Sequence, residues 1–232
     1  MLDQDTDEAL DAFEAKYGVR PKYDMNASYW KDWVNFRCEY INNFVARVRK
    51  LISKQLAEIA DKYGIELWSL HLPFLPFHVI DPSVPALADY TVKYFCSFID
   101  KAAEIGIKTI VIHPSGEPIA ESDRPMRLEC AKKSLAALAE YAAAKGAVIA
   151  VEDLPRTCLG NCSDDIKKLI SLNDKLRVCL DTNHLLAEKN VDFVKALGDK
   201  IVTLHVSDYD YLNERHWLPY EGKVNWVELV SA

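Results

Sequence analysis

The chain has 232 residues, 50% hydrophobic and 27% charged, with only 8 glycines and 10 prolines, proportions that exclude disordered, collagen-like and coiled-coil architectures. Lys and Arg number 28 against 35 Asp and Glu, for a net charge of −7 and a pI near 5.4. Phosphate-backbone binders carry the opposite balance, so no nucleic-acid partner is expected.

The first 66 residues hold a short helix predicted over Asp7–Tyr17, a loop at Gly18–Met25, and a long helix over Tyr29–Tyr63 interrupted by polar stretches, with no buried strand. From about residue 67 short apolar runs alternate with amphipathic ones. Strands are predicted at Leu67–Leu72, Lys108–His113, Ala147–Glu152, Arg177–Asp181 and Ile201–His205. Helices are predicted between them at Ala86–Ile105, Arg124–Lys145, Asp164–Ser171 and Val191–Leu197, and a last apolar helical run at Val224–Val230. Gly106 and Gly146 stand where a left-handed residue ends a helix just before the next strand. The strands are near-continuous Val, Ile, Leu and Ala, as parallel strands buried on both faces are. Strict strand-helix order leaves a doubly wound sheet or a (β/α)8 TIM barrel, and the lack of a GxGxxG or GxxxxGK[ST] loop weakens the first. One domain over 1–232 is expected, 1–66 mainly helical and 67–232 carrying the site.

The longest apolar runs, such as Ile107–Ile112 and Ala147–Val151, are strand-sized and far below the roughly 18 residues of a membrane span. The acidic N-terminal segment lacks a signal peptide's basic start and apolar centre, so a cytoplasmic protein with no membrane partner is expected. Six cysteines form no CxxC pair. They are read as reduced residues, Cys158 and Cys162 as members of a loop.

The informative pattern lies at the strand C-termini: His71, His113, Glu152, Asp181 with His184, and His205 with Asp208. In parallel α/β folds the loops after the strands share one face, where active sites lie. These residues should converge there as an imidazole and carboxylate set without thiolate, suited to Mn²⁺, Zn²⁺, Fe²⁺, Co²⁺ or Mg²⁺. Glu214, Arg215 and His216 sit in a following loop, where Arg beside His suits an anionic or polyhydroxylated substrate. Glu221 and Gly222 make a turn.

The segments HLPF, HPSG, VEDLP, LDTNH, HVSDYD and RHWLPYEGKVNW resemble the xylose isomerase-like TIM barrel superfamily. The likeness is to its sugar phosphate isomerase/epimerase group, which is related to endonuclease IV-type apurinic endonucleases, and it spans about Leu67–Trp226. It implies a divalent metal (Mn, Zn, Co or Mg) on Glu152, Asp181 and His205, with Glu152 also the catalytic base. Substrate contacts are implied for His71, His113, His184, Arg215 and His216. The implied reaction is proton transfer through an enediolate on a small carbohydrate or polyol.

Two departures are visible. Five strand candidates stand where a closed barrel of about 250 residues has eight, so an incomplete barrel is expected, with a homo-oligomer as one way to cover its open edges. The Glu that the family places at the end of the eighth strand has no counterpart after His205. Alternatives are a truncated barrel that binds without turnover, a keto-polyol dehydratase, and a multi-metal endonuclease that would use His71, His113 and His216 as further ligands.

Overall fold

The computed structural model describes residues 7–22, 26–29, 31–36, 54–74 and 79–232. The chain divides into two compact units, Met1–Gly64 and Ile65–Ala232. In the first, α1 (Asp7–Tyr17) is the helix expected there. Its Phe13 is wholly buried against Trp33 and Phe36 at ring distances of 5.0 and 5.3 Å. The helix expected over 29–63 is helical at 31–36 and 54–63, while Tyr29 lies in a turn. Residue 30, residues 37–53 and the last residues of the predicted loop, 23–25, fall outside the described residues.

The second unit is a five-stranded parallel sheet in the order β1-β2-β3-β4-β5. Its strands are β1 (Ser69–His71), β2 (Thr109–Ile112), β3 (Val148–Glu152), β4 (Arg177–Asp181) and β5 (Ile201–His205). Each strand neighbours the next in sequence, joined by right-sized crossovers carrying α2 (Pro85–Glu104), α3 (Arg124–Ala144), α4 (Ser163–Leu169) and α5 (Asn190–Leu197). A final helix, α6 (Trp226–Ser231), follows the last loop. This is an incomplete TIM barrel. The first three strands are each one to three residues shorter than the apolar runs suggested. Pairing nevertheless continues beyond β1, where Leu72 N–H donates to Val111 C=O at 2.9 Å. Trp68, just ahead of β1, donates its indole N–H to Thr203 Oγ1 of β5 at 3.2 Å, a side-chain contact between the two outer strands. Among the described residues no helix is long and apolar enough to cross a membrane.

Strand alternation sorts the side chains. Ile110, Ile112, Ile149, Val151, Val178 and Leu180 face the helices and pack with Phe95, Ile99, Leu135 and Leu138 into the main core. Val111, Ala150 and Cys179 fall in a separate cluster with Val202 on the other face. Since strand side chains alternate with period two, His71, Glu152, Cys179 and Asp181 share the face opposite α2–α5, His113 continues the phase of Val111, and His205 joins them through its register with Asp181 beyond the slip between β4 and β5.

Gly106 and Gly146 are the caps that the sequence suggested. At φ +82° and +74° they let the next residue fold back, Ile107 N–H to Ala102 C=O and Ala147 N–H to Ala142 C=O, both at 2.9 Å. Each helix is thus closed by paired 6→1 and 5→2 bonds and the chain is aimed straight into a strand. A Cβ at Gly146 would meet nothing within 4 Å, so Gly146→Ala tests backbone strain alone. It should cost about 1 kcal/mol in denaturant unfolding, with no change in the slope of the transition.

Candidate metal centre

Glu152 ends β3 and is 1% exposed, and its carboxylate is the hub of the site. Oε2 lies 2.9 Å from His71 Nε2 and 3.2 Å from His113 Nε2, while Oε1 lies 2.8 Å from His205 Nδ1 and 3.7 Å from His184 Nδ1. Burial pushes this carboxyl up, but His113, His205 and His71 outweigh it and hold the group well below the usual carboxylate range. On the other side, Asp181, Cys179 and Glu152 raise the His205 imidazole to about 12. Asp181 Oδ2 sits 3.7 Å from both His205 Nδ1 and His184 Nε2.

Two imidazoles are oriented from behind. His71 Nδ1 donates to Leu72 C=O and His184 Nδ1 donates to Asp153 C=O, each at 2.7 Å, because a carbonyl can only accept. Their Nε2 atoms are thereby aimed at the carboxylates. A histidine anchored through one nitrogen to a backbone carbonyl is the usual arrangement of a metal ligand.

Among the described residues three overlapping donor triplets share Glu152: His71–His113–Glu152, Glu152–Cys179–His205 and Glu152–Asp181–His184, each with its donor atoms within 4.8 Å of one another. Imidazole nitrogen and carboxylate oxygen at strand ends are the donors that divalent transition ions take, so the residues fit such an ion. The expectation of a set without thiolate is corrected by Cys179, which has the same strand phase as Asp181 two residues later and comes close to His205 and Glu152. That phase is readable in the VCLD segment.

Several residues around the cluster lie where only the loops could put them. Asp153, wholly buried, accepts the Asp181 N–H on Oδ1 at 2.7 Å, and burial holds its carboxyl well above the ordinary range. Its Oδ2 is one of two buried side-chain polar atoms with no partner among the described residues, the other being Asn190 Oδ1. Asn183, also fully buried, accepts from the backbone N–H of Arg215 at 2.9 Å and of His216 at 3.3 Å on Oδ1, and its amide lies 3.3 Å from the His216 ring. Arg215 does not point into the cluster. Its Nε donates to Asp210 at 2.9 Å and its guanidinium lies over the Trp217 ring. Glu214 does reach inward, with Oε1 3.4 Å from His184 Nε2. Arg156, with φ +53°, pairs with both Glu117 and Glu214, so one guanidinium joins the loops after β2, β3 and β5.

Asp208, grouped with the strand-end residues in the sequence, has another task. Wholly buried, it accepts the N–H of Tyr209 (2.8 Å), Tyr220 (2.9 Å) and Val224 (3.1 Å) and the Trp226 indole N–H (2.8 Å). It organises the long loop between β5 and α6. Burial raises its carboxyl, the donors lower it, and the balance lies below the ordinary value.

A parallel barrel-type sheet with an imidazole–carboxylate cluster at its strand C-termini is that of an α/β-barrel protein with the donor groups of its cluster gathered at one end of the sheet. The chain belongs to the xylose isomerase-like TIM barrel family, whose model matches residues 28–232. It is 24% identical over 207 residues, 88% of this chain and 80% of the relative, to the uncharacterized protein MJ1614 of Methanocaldococcus jannaschii. Its fold is similar to that of a D-tagatose 3-epimerase-like protein, with a TM-score of 0.70 and 24% identity, covering 77% of this chain and 69% of that one. The 3-keto-D-glucoside 4-epimerase YcjR of E. coli is also similar, with a TM-score of 0.62 and 17% identity, covering 79% and 73%.

Proposed function

We propose that the protein is a divalent-metal-dependent isomerase or epimerase of a small sugar, sugar phosphate or polyol. The observation that carries this reading is the convergence of Glu152, Asp181 and His205 with the anchored His184 at the C-terminal ends of the strands. Glu152, Asp181 and His205 would hold the ion, which when bound polarises a substrate carbonyl and stabilises the charge left when the adjacent carbon loses its proton. Glu152 accepts that proton on a carboxylate oxygen. His71, His113 and His184 orient substrate oxygens by hydrogen bonding. Inverting a carbon requires a second group to return the proton, and Glu214, across His184 from Glu152, is the carboxylate placed for it. His216, held by Asn183, lies in the loop that covers the substrate, and Arg215 joins it there once its guanidinium turns from Asp210.

The family supports a metal centre, and the epimerase neighbours support a carbohydrate substrate. The test is calorimetric titration of Mn²⁺, Co²⁺ and Zn²⁺ into chelator-treated protein, followed by a ketose-epimerisation screen. One ion per chain is expected, with affinity falling at least about tenfold in His205→Ala. Absence of binding by the unmodified protein at high micromolar metal overturns the reading. The His71–His113–Glu152 triplet favours a second reading, a multi-metal phosphodiester hydrolase, which about three zinc ions per chain would support.

A further inference from the structure

Among the described residues Cys179 is the one sulfur in the donor groups at the centre, and three features of the fold put it there. Its phase on β4 is that of Asp181. In register it faces Glu152 on β3 and Thr203 on β5, so its neighbours on both sides belong to strands that end in the site. Between Val178 and Cys179 the β4–β5 register slips, Val178 pairing with Ile201 and Cys179 with Thr203. Such irregularities re-aim side chains beside functional sites. The result is that Sγ of Cys179, an oxygen of Glu152 and a nitrogen of His205 lie mutually within 4.8 Å.

We propose that Cys179 is a sulfur ligand of the same metal centre and biases it towards zinc, cobalt(II) or ferrous iron over magnesium and manganese. The inference rests on the metal-centre reading above and extends it from the site to the kind of ion. Thiolate is a soft donor that zinc and iron accept, whereas magnesium and manganese prefer all-oxygen surroundings. With Cys179, His205 and Glu152 as ligands, Asp181, whose Oδ2 lies 3.7 Å from His205 Nδ1, would offer the fourth donor of a mixed S, N, O set of the kind that zinc and cobalt(II) take. Coordination exchanges the S–H proton for the metal and releases it to the buffer, with no change of oxidation state.

The experiment titrates cobalt(II) into chelator-treated full-length protein and reads the near-ultraviolet sulfur-to-cobalt charge-transfer absorption. The band should saturate at one cobalt per chain and vanish in Cys179→Ser. Zinc affinity of that variant should fall at least about tenfold, the range set by lost metal-site partners, and by a larger factor than its magnesium affinity. Thermal melts of Cys179→Ser and Cys179→Ala without added metal check that the variants fold. If neither does, zinc-edge X-ray absorption of the unmodified protein decides, with a sulfur scatterer at about 2.3 Å expected. Metal binding with only nitrogen and oxygen scatterers, or a cobalt band that survives Cys179→Ser, overturns the inference and leaves the isomerase reading standing. Absence of any metal binding overturns both.

Discussion

Glu152→Gln should abolish metal binding, lowering affinity by a factor of 100 or more, about 3 kcal/mol. The glutamine keeps the volume of a side chain that is 1% exposed, so the core is undisturbed and the loss is electrostatic. Three imidazoles lie within 3.2 Å of the carboxylate, and the amide nitrogen that replaces one oxygen can only donate. All three donor triplets lose their shared member together, which no other single substitution achieves. Calorimetric titration measures the effect, and an affinity within tenfold of the parent protein's contradicts it. The same variant changes the pH dependence of stability. Glu152 is depressed below its ordinary 4.5, so its contribution is present above that pH and is lost as pH falls through the folded value. His205 is raised above its ordinary 6.5, so its contribution is present below that pH and is lost as pH rises towards about 12. In chelator the parent protein should therefore hold its full cluster stabilisation between about pH 4.5 and 6.5, and Glu152→Gln should flatten the acid side of a melting-temperature profile.

Gly222→Ala should destabilise the protein by about 3 kcal/mol or more, a large effect for one methyl group. The added Cβ would lie 2.3 Å from Asp208 Oδ1 and 2.4 Å from Tyr209 C=O, and neither is a flexible chain end. Asp208 is fixed by four donors and Tyr209 C=O accepts the Lys223 N–H at 2.7 Å. Overpacking alone costs about 1–3 kcal/mol, and each buried donor freed from Asp208 adds about 1–3 kcal/mol. Thermal unfolding gives the total, and hydrogen exchange at the Tyr220 and Val224 amides shows whether the loop loosens first. Parent-like stability and exchange would mean that Gly222 is replaceable.

The fold was legible where one-dimensional patterns carry it. Strands β4 and β5 match their apolar runs residue for residue, and Gly106 and Gly146 marked helix ends because a left-handed cap leaves few residue choices. The strand-end residues His71, Glu152, Asp181 and His205 were legible for the same reason: a parallel strand with helices on one face directs its C-terminal polar residue to the other. Cys179 was equally readable by phase but was absorbed into the apolar run. Asp208, Asn183, Asp153 and the inward reach of Glu214 were not readable. Their roles depend on loop dihedrals and on partners as far as 33 residues away, which no local period encodes. Arg215 shows the limit from the other side, since its loop position was foreseeable but not the pull of Asp210 and Trp217 on its guanidinium.

The double pairing of Arg156 with Glu117 and Glu214 has a dynamic consequence. Three loops rooted on separate strands share one cation, so hydrogen exchange in the three should rise together when that cation is removed. Its midpoint cation is itself held at a left-handed backbone angle that costs a non-glycine residue about 1–2 kcal/mol. Neutralising Glu117, on a different loop from Glu214, should therefore be felt through that single guanidinium at the carboxylate beside His184.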